Sequence, residues 1–185
     1  MCASTSDDAL DRTETIATAL LLFGAGNTPT ANLIGNGLDA LFRFPESRRR
    51  LTEDPGLLPS AVDEMLRFDS PSQFDVFTEL EPHSFAGTDL KPGQGVMMML
   101  GAANHDPERF DDPDALDVAR KENGHLSFAA GIHHCLGAHL ARLQAEVVFV
   151  RLLPRFPKVE PAAQAVRHPG LGNRGFDSIP VNLVA

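Results

Sequence analysis

Residues 125–146, HLSFAAGIHHCLGAHLARLQAE, decide how this chain is read. Small residues, Ala129, Ala130 and Gly131, shape a loop that delivers one cysteine, Cys135, to the start of a helix. Leu136, Leu140, Leu143 and Val147 recur at i, i+4, i+7 and i+11, which predicts that this face is buried while Arg142, Gln144 and Glu146 point elsewhere. A sulfur at a helix N-terminus meets unpaired N–H groups and the positive end of the helix dipole, and both favour thiolate over thiol. Two plainer readings stay open on local grounds. A lone cysteine on an apolar helix commonly serves as a small hydrophobe. Alternatively, Cys135 and His139, four apart with His125, His133 and His134 nearby, put two zinc ligands on one face. No C-x-x-C or H-x-x-x-H elsewhere supplies the other half of a zinc site.

Composition bounds the function. A chain of 185 residues, 43% hydrophobic, can bury one sizeable core. Cys2 and Cys135 form no disulfide framework, which suits a reducing cytosol. The net charge of −9 argues against nucleic acid or an anionic membrane as the main partner. No run reaches the roughly 18 apolar residues of a membrane span. Met1 to Asp7 is a polar lead unlike a signal peptide.

From Asp8 to about Phe44 the pattern is helical, with Leu10, Ile16, Leu20, Phe23, Leu33, Leu38, Leu41 and Phe42 as buried candidates. Gly24, Gly26, Pro29, Gly35 and Gly37 interrupt it, at a cost of roughly 1 kcal/mol per interior glycine and roughly 3 for proline. Two helices joined at Gly24 to Pro29 and one interrupted helix are equally supported by these residues. After the basic Arg48 to Arg50 and a breaker-rich linker from Asp54 to Ser60, Ser60 is the predicted N-cap of a helix over about 60–68. Glu64 and Arg67 share one face of it, which by itself describes an ordinary surface pair. Phe74 to Leu100 reads as short strands with turns at Ala86-Gly87 and Lys91-Pro92-Gly93, Val96 to Leu100 being a buried strand. The cysteine loop and its helix fill about 125–153, Pro154 and Pro157 marking the end. Strands follow over about 170–184, the last being Ile179 to Val184. The fold class is mainly α with small β-sheets.

Phe128-x-x-Gly131-x-His133-x-Cys135-x-Gly137-x-x-Leu140-Ala141 resembles the haem-binding loop of the cytochrome P450s, with Ala129 where the family commonly has glycine. Glu64-x-x-Arg67 and Pro107-x-x-Phe110 resemble two further signatures of that family, in family order. The resemblance implies the C-terminal half of the P450 fold and a haem b cofactor. Cys135 would ligate the iron, its thiolate pushing electron density toward O–O cleavage. Phe128 would pack beside the sulfur, His133 would reach a propionate, and Gly131 and Gly137 would shape the loop, Gly137 leaving room for the porphyrin. Glu64, Arg67 and Arg109 would form a buried three-way charge network. Leu21 to Leu38 resembles the central helix crossing the distal haem face, which favours the single interrupted helix. Ala25 and Gly26 would lie where oxygen sits. Thr28, Pro29 and Thr30 would occupy the proton-delivery region, Pro29 standing in the place of the family's threonine. The family's propionate-binding arginine has no counterpart between Arg67 and Arg109; Phe77 aligns near it. Arg120, Lys121 and Arg142 would lie near the proximal face, as a docking patch for a small acidic electron donor or as a merely solvated charge cluster.

The implied reaction inserts one atom of O2 into a small organic substrate, with electrons from NAD(P)H passing through a reductase and a ferredoxin-type donor. The alternatives are a truncated non-catalytic remnant or interaction protein, and a peroxide-using haem-thiolate enzyme. P450s usually begin well before their central helix. An N-terminal half holding most of the substrate pocket, further propionate contacts and any membrane anchor is therefore expected outside this sequence.

Overall fold

The computed structural model describes residues 9–183; Met1 to Asp7 with Cys2, as well as Asp8 and Val184, lie outside them. The stretch expected as one helix from Asp8 is two, α1 (Arg12–Ala25) and α2 (Thr28–Arg43). Asp11 caps α1 through a reciprocal pair: its side chain accepts from Glu14 N at 2.8 Å, and Glu14 accepts from Asp11 N at 2.9 Å. The break falls at Gly26 and Asn27. Pro29, in the first turn of α2, has no N–H to return to Ala25 and costs nothing there, because first-turn donors lack intrahelical partners anyway.

Helix α2 buries Leu33, Asn36, Gly37, Ala40 and Leu41, the spacing of a single helical stripe. It packs against α4 (Leu58–Phe68) and α6 (Ala138–Arg155), with α3 (Pro45–Glu53) alongside. Gly37 is where the three helices meet. A methyl there would lie 2.6 Å from Met65 Sδ and 3.1 Å from Phe149, so glycine lets the axes approach. Around this point Val62, Met65 and Leu66 of α4 and Ala145, Phe149 and Leu153 of α6 close the core.

Among the described residues there are four two-stranded antiparallel sheets: β1 (Asp75–Thr78) with β4 (Gly95–Met98), β2 (His83–Phe85) with β3 (Thr88–Leu90), β5 (Glu160–Pro161) with β8 (Val181–Asn182), and β6 (Val166–Arg167) with β7 (Phe176–Ser178). A single turn, α5 (Leu100–Ala103), follows β4. Asp69, just past α4, accepts from Arg167 at 2.7 Å and Arg174 at 2.6 Å, tying the β6–β7 hairpin to the core.

Several expectations are corrected here. Leu10, Ile16, Leu20 and Phe23 are exposed, and α1 buries no residue at all. Leu38 and Phe42 are half-buried. Helix α4 starts at Leu58, and Ser60 is no cap: its hydroxyl donates to Leu57 O or Val118 O, at 2.8 and 2.7 Å. Met97, Met98 and Met99 are exposed, because β4 has a neighbour on one side only and its face carries no layer. The buried stripe of α6 is Ala138, Ala145, Phe149 and Leu153, whereas Leu136, Leu140, Leu143 and Val147 are exposed. The helix carries two apolar stripes, and the core takes the one with the small residues that permit close packing. Pro154 sits inside the last turn of α6, which runs on to Arg155.

Candidate haem site

Loop and helices enclose a cavity of about 260 Å³ with Cys135 on one wall and Ala25, Gly26, Pro29 and Thr30 on the other. Leu33, Leu66, Leu140 and Ala141 make its sides largely apolar. Thr28 and Gly131 are not among its lining residues, so of the three residues expected on the distal side the structure brings Pro29 and Thr30 to the cavity. Cys135 is a free thiol exposed to it, two residues before Gly137, the residue preceding α6. No side chain caps that helix start.

The loop is held from below. Cys135 N–H donates to Phe128 O at 2.9 Å. Asn104, fully buried, donates to Ser127 Oγ at 2.9 Å and accepts from Leu126 N at 2.7 Å, while Ser127 Oγ donates to Leu66 O at 2.7 Å. These bonds hang the loop from α4. His133 lines the cavity, its ring 5.4 Å from that of Phe77. A methyl on Gly137 would stand 3.9 Å from Cys135 Sγ and meet nothing else within 4 Å, so the glycine leaves the floor beside the sulfur clear. A flat apolar group with a thiolate-seeking metal fits such a space. Among the described residues no arginine or lysine lines it, so His133 is the basic group here for an anionic substituent. No cluster of three or more His, Cys, Asp or Glu side chains occurs among the described residues, so the zinc geometry is not assembled.

Two residues of the loop have left-handed backbone, Gly131 at φ +71° and Ala129 at φ +54°. Alanine in that region is strained by about 1–2 kcal/mol. Ala129→Gly should therefore raise stability by about 0.5–1 kcal/mol, after allowing for the extra freedom glycine gives the unfolded chain. Ala130, at φ −149°, is extended, and Ala130→Gly should lower stability instead. Denaturant midpoints of the two variants check the opposite signs; a loss in both would remove the strain.

Behind the loop, Glu64 and Arg67 are both fully buried and bidentate, at 2.8 and 2.9 Å. Arg67 spends its remaining donors on Asn104 O, Pro113 O and Ala115 O. Glu64 also accepts from Asp117 N, Arg120 Nε and Asn123 Nδ2, each at 3.0 Å. The third charge is thus Arg120, not Arg109, which is exposed and rests over the Phe110 ring. The Arg109 guanidinium lies beside Gly124 and over Phe110, whereas Arg120, on the loop after Phe110, reaches Glu64 of α4. Arg120 is therefore no free docking charge, and neither is Arg142, which donates to Asp63 Oδ1 at 2.7 Å. Burial works against the ionisation of Asp63, but hydrogen bonds from His125 and Arg142 outweigh it and hold its carboxyl below the usual range.

Residues 56–173 match the cytochrome P450 family. The chain belongs to that family. Among curated P450s it is similar to CYP107DY1 of Priestia megaterium, 43% identical over 163 residues, covering 88% of this chain and 40% of that protein. To the biotin biosynthesis cytochrome P450 of Bacillus subtilis it is 40% identical over 177 residues, covering 95% and 45%. Among solved P450s, CYP109E1 from Bacillus megaterium in complex with testosterone superimposes with a TM-score of 0.92 at 33% identity, over 98% of this chain and 51% of that one. P450BioI in complex with an acyl carrier protein superimposes with 0.92 at 39% identity, over 96% and 46%. The chain thus spans less than half the length of these curated relatives. Its P450 fold is that of a helix-rich domain with small sheets, and no helix among the described residues is long and apolar enough to cross a membrane. Sequence reasoning missed Asn104, Ser127, Asp63 and Arg120 as supports of the P450 loop. Asp63 precedes the Glu64 signature directly, and that adjacency was the one available signal.

Proposed function

We propose that this chain is the haem-thiolate portion of a monooxygenase that inserts one atom of O2 into a small organic substrate. The observation that carries the reading is Cys135 facing Ala25, Gly26, Pro29 and Thr30 across one apolar cavity. Cys135 would hold the haem b iron, Phe128 and Gly137 would flank its sulfur side, and His133 would take a propionate. When bound, the haem supplies the redox chemistry that activates O2. The small side chains of Ala25 and Gly26 leave space opposite the sulfur. Electrons would come from NAD(P)H through a reductase and a ferredoxin-type donor docking on the Cys135 side, with a further segment completing the substrate pocket. Supplying isotopically labelled O2 with NAD(P)H and those donors should put one labelled atom in the product. Product that forms only with added peroxide, and carries no label from O2, overturns the reading in favour of peroxide use.

The distal wall shapes the expected efficiency. Pro29 has no donor, and next to it Thr30 brings a hydroxyl to the cavity, which Ser72, Asp75 and Ser127 also line, while Thr28 is not among its lining residues. With haem bound, proton delivery from the side of residues 25–30 would rest on Thr30, and loss of reduced oxygen as peroxide would compete with product formation. Pro29→Thr should raise product formed per NAD(P)H several-fold, on the scale of one added proton donor. High coupling in the parent protein, unimproved by Pro29→Thr, discards the idea.

A further inference from the structure

Phe128 is held from outside by an arrangement that the haem-binding motif does not include. The Arg142 guanidinium lies 4.6 Å over the Phe128 ring centroid, within the range of a cation–π contact. Its Nε donates to Asp63 Oδ1 at 2.7 Å, and the same oxygen takes His125 Nε2 at 3.3 Å. Ser127 N–H donates to His125 Nδ1 at 3.2 Å, which puts the ring proton on Nε2 and aims it at Asp63. The His125 ring, its side chain 3% exposed, lies 5.7 Å from that of Phe128. One carboxylate on α4 thus organises two groups that contact the same phenyl ring. That ring lines the cavity with Cys135, and the Phe128 carbonyl accepts the Cys135 N–H. Arg142 and His125 both lie against the Phe128 ring, and both are bonded to Asp63.

The arrangement also places one cation and one anion side by side against the loop that carries Cys135. Groups outside the ligand shell tune a metal's potential through orientation and charge. From this we infer that Asp63 and Arg142 are a positioning pair that fixes Phe128 against the Cys135 loop and sets the reduction potential of haem held there. The inference rests on the haem-thiolate reading of Cys135.

Charge gives the two residues opposite signs. Asp63→Asn leaves the guanidinium uncompensated, favours the reduced state and raises the potential. Arg142→Met keeps apolar bulk over the ring, leaves the carboxylate uncompensated and lowers it. Each shift should change the oxidised-to-reduced ratio at fixed applied potential on the order of threefold to tenfold, as one unit charge nearby does. Combining Asp63→Asn with Arg142→Met should return the potential toward the parent value. The measurement is a spectroelectrochemical titration of the haem-loaded protein, with the ferrous–CO spectrum recorded for every variant. Should Asp63→Asn fail to retain haem, a fall in Arg142→Met that Arg142→Lys reverses decides the matter. Both single variants shifting the same way, or neither shifting, overturns the inference and leaves the pair a structural contact. Absence of the thiolate CO band in the parent protein overturns the haem-thiolate reading instead, so the two failures are distinct.

Discussion

Replacing Cys135 by serine is expected to abolish the red-shifted Soret band that reduced, CO-bound haem shows when its other axial ligand is thiolate. A serine hydroxyl ionises far less readily than a thiol and is a much harder ligand, so the electron push onto the iron is lost. The loop itself should survive, because it hangs from Asn104 and Ser127 through backbone groups that the substitution leaves untouched. Haem content and the CO difference spectrum of Cys135→Ser, measured beside the parent protein, separate loss of the ligand from loss of the fold. Stoichiometric zinc with no haem, after expression with a haem precursor, would return the site to the metal alternative.

The second large effect belongs to the charge network. Glu64→Ala strands Arg67, with no exposed side-chain surface, and Arg120, with 12%. Removing one member of a buried ion pair costs about 3–5 kcal/mol, against a typical net stability of about 5–15 kcal/mol. Arg120→Ala removes a charge-assisted bond to the same carboxylate and should cost about 1.5–3 kcal/mol. Arg109→Ala, on an exposed side chain, should stay within about 0.5 kcal/mol. Chemical denaturation of the three variants ranks them; an Arg109→Ala loss larger than that of Arg120→Ala would move the third charge back to Arg109.

That ranking also marks where sequence stops being informative. Glu64 and Arg67 are three apart on one helix, so helical geometry alone places them side by side. Arg109 and Arg120 are both distant in sequence, and the choice between them depends on how the loop after Phe110 winds, which no local pattern records. The cysteine loop was legible because its small residues, its glycines and the helix that follows are local properties. Ala129 shows the same locality from the other side: the backbone turns left-handed there although the residue is not glycine. Helix α6 is the opposite case. Periodicity reports that Leu136, Leu140, Leu143 and Val147 form an apolar stripe but not what covers it, and Ala145 with Phe149 makes the closer fit to Gly37 and Met65. Asp63 escaped notice because a carboxylate in the first turns of a helix is unremarkable until its long-range partners, His125 and Arg142, are seen.

Helix α1 carries a thermodynamic consequence. It spans 14 residues and buries none of them, with Leu20 68% and Phe23 82% exposed. A helix of that length is marginal in water unless packing supports it, so its ordering belongs to a local equilibrium separate from the core formed by α2, α4 and α6. Yet Ala25, its last residue, and the adjoining Gly26 stand opposite Cys135. Haem affinity measured on this chain is then the intrinsic affinity scaled by the fraction of molecules in which that wall is in place. Any surface that covers Ile16, Leu20 and Phe23 raises this fraction, and so tightens haem binding without touching the haem.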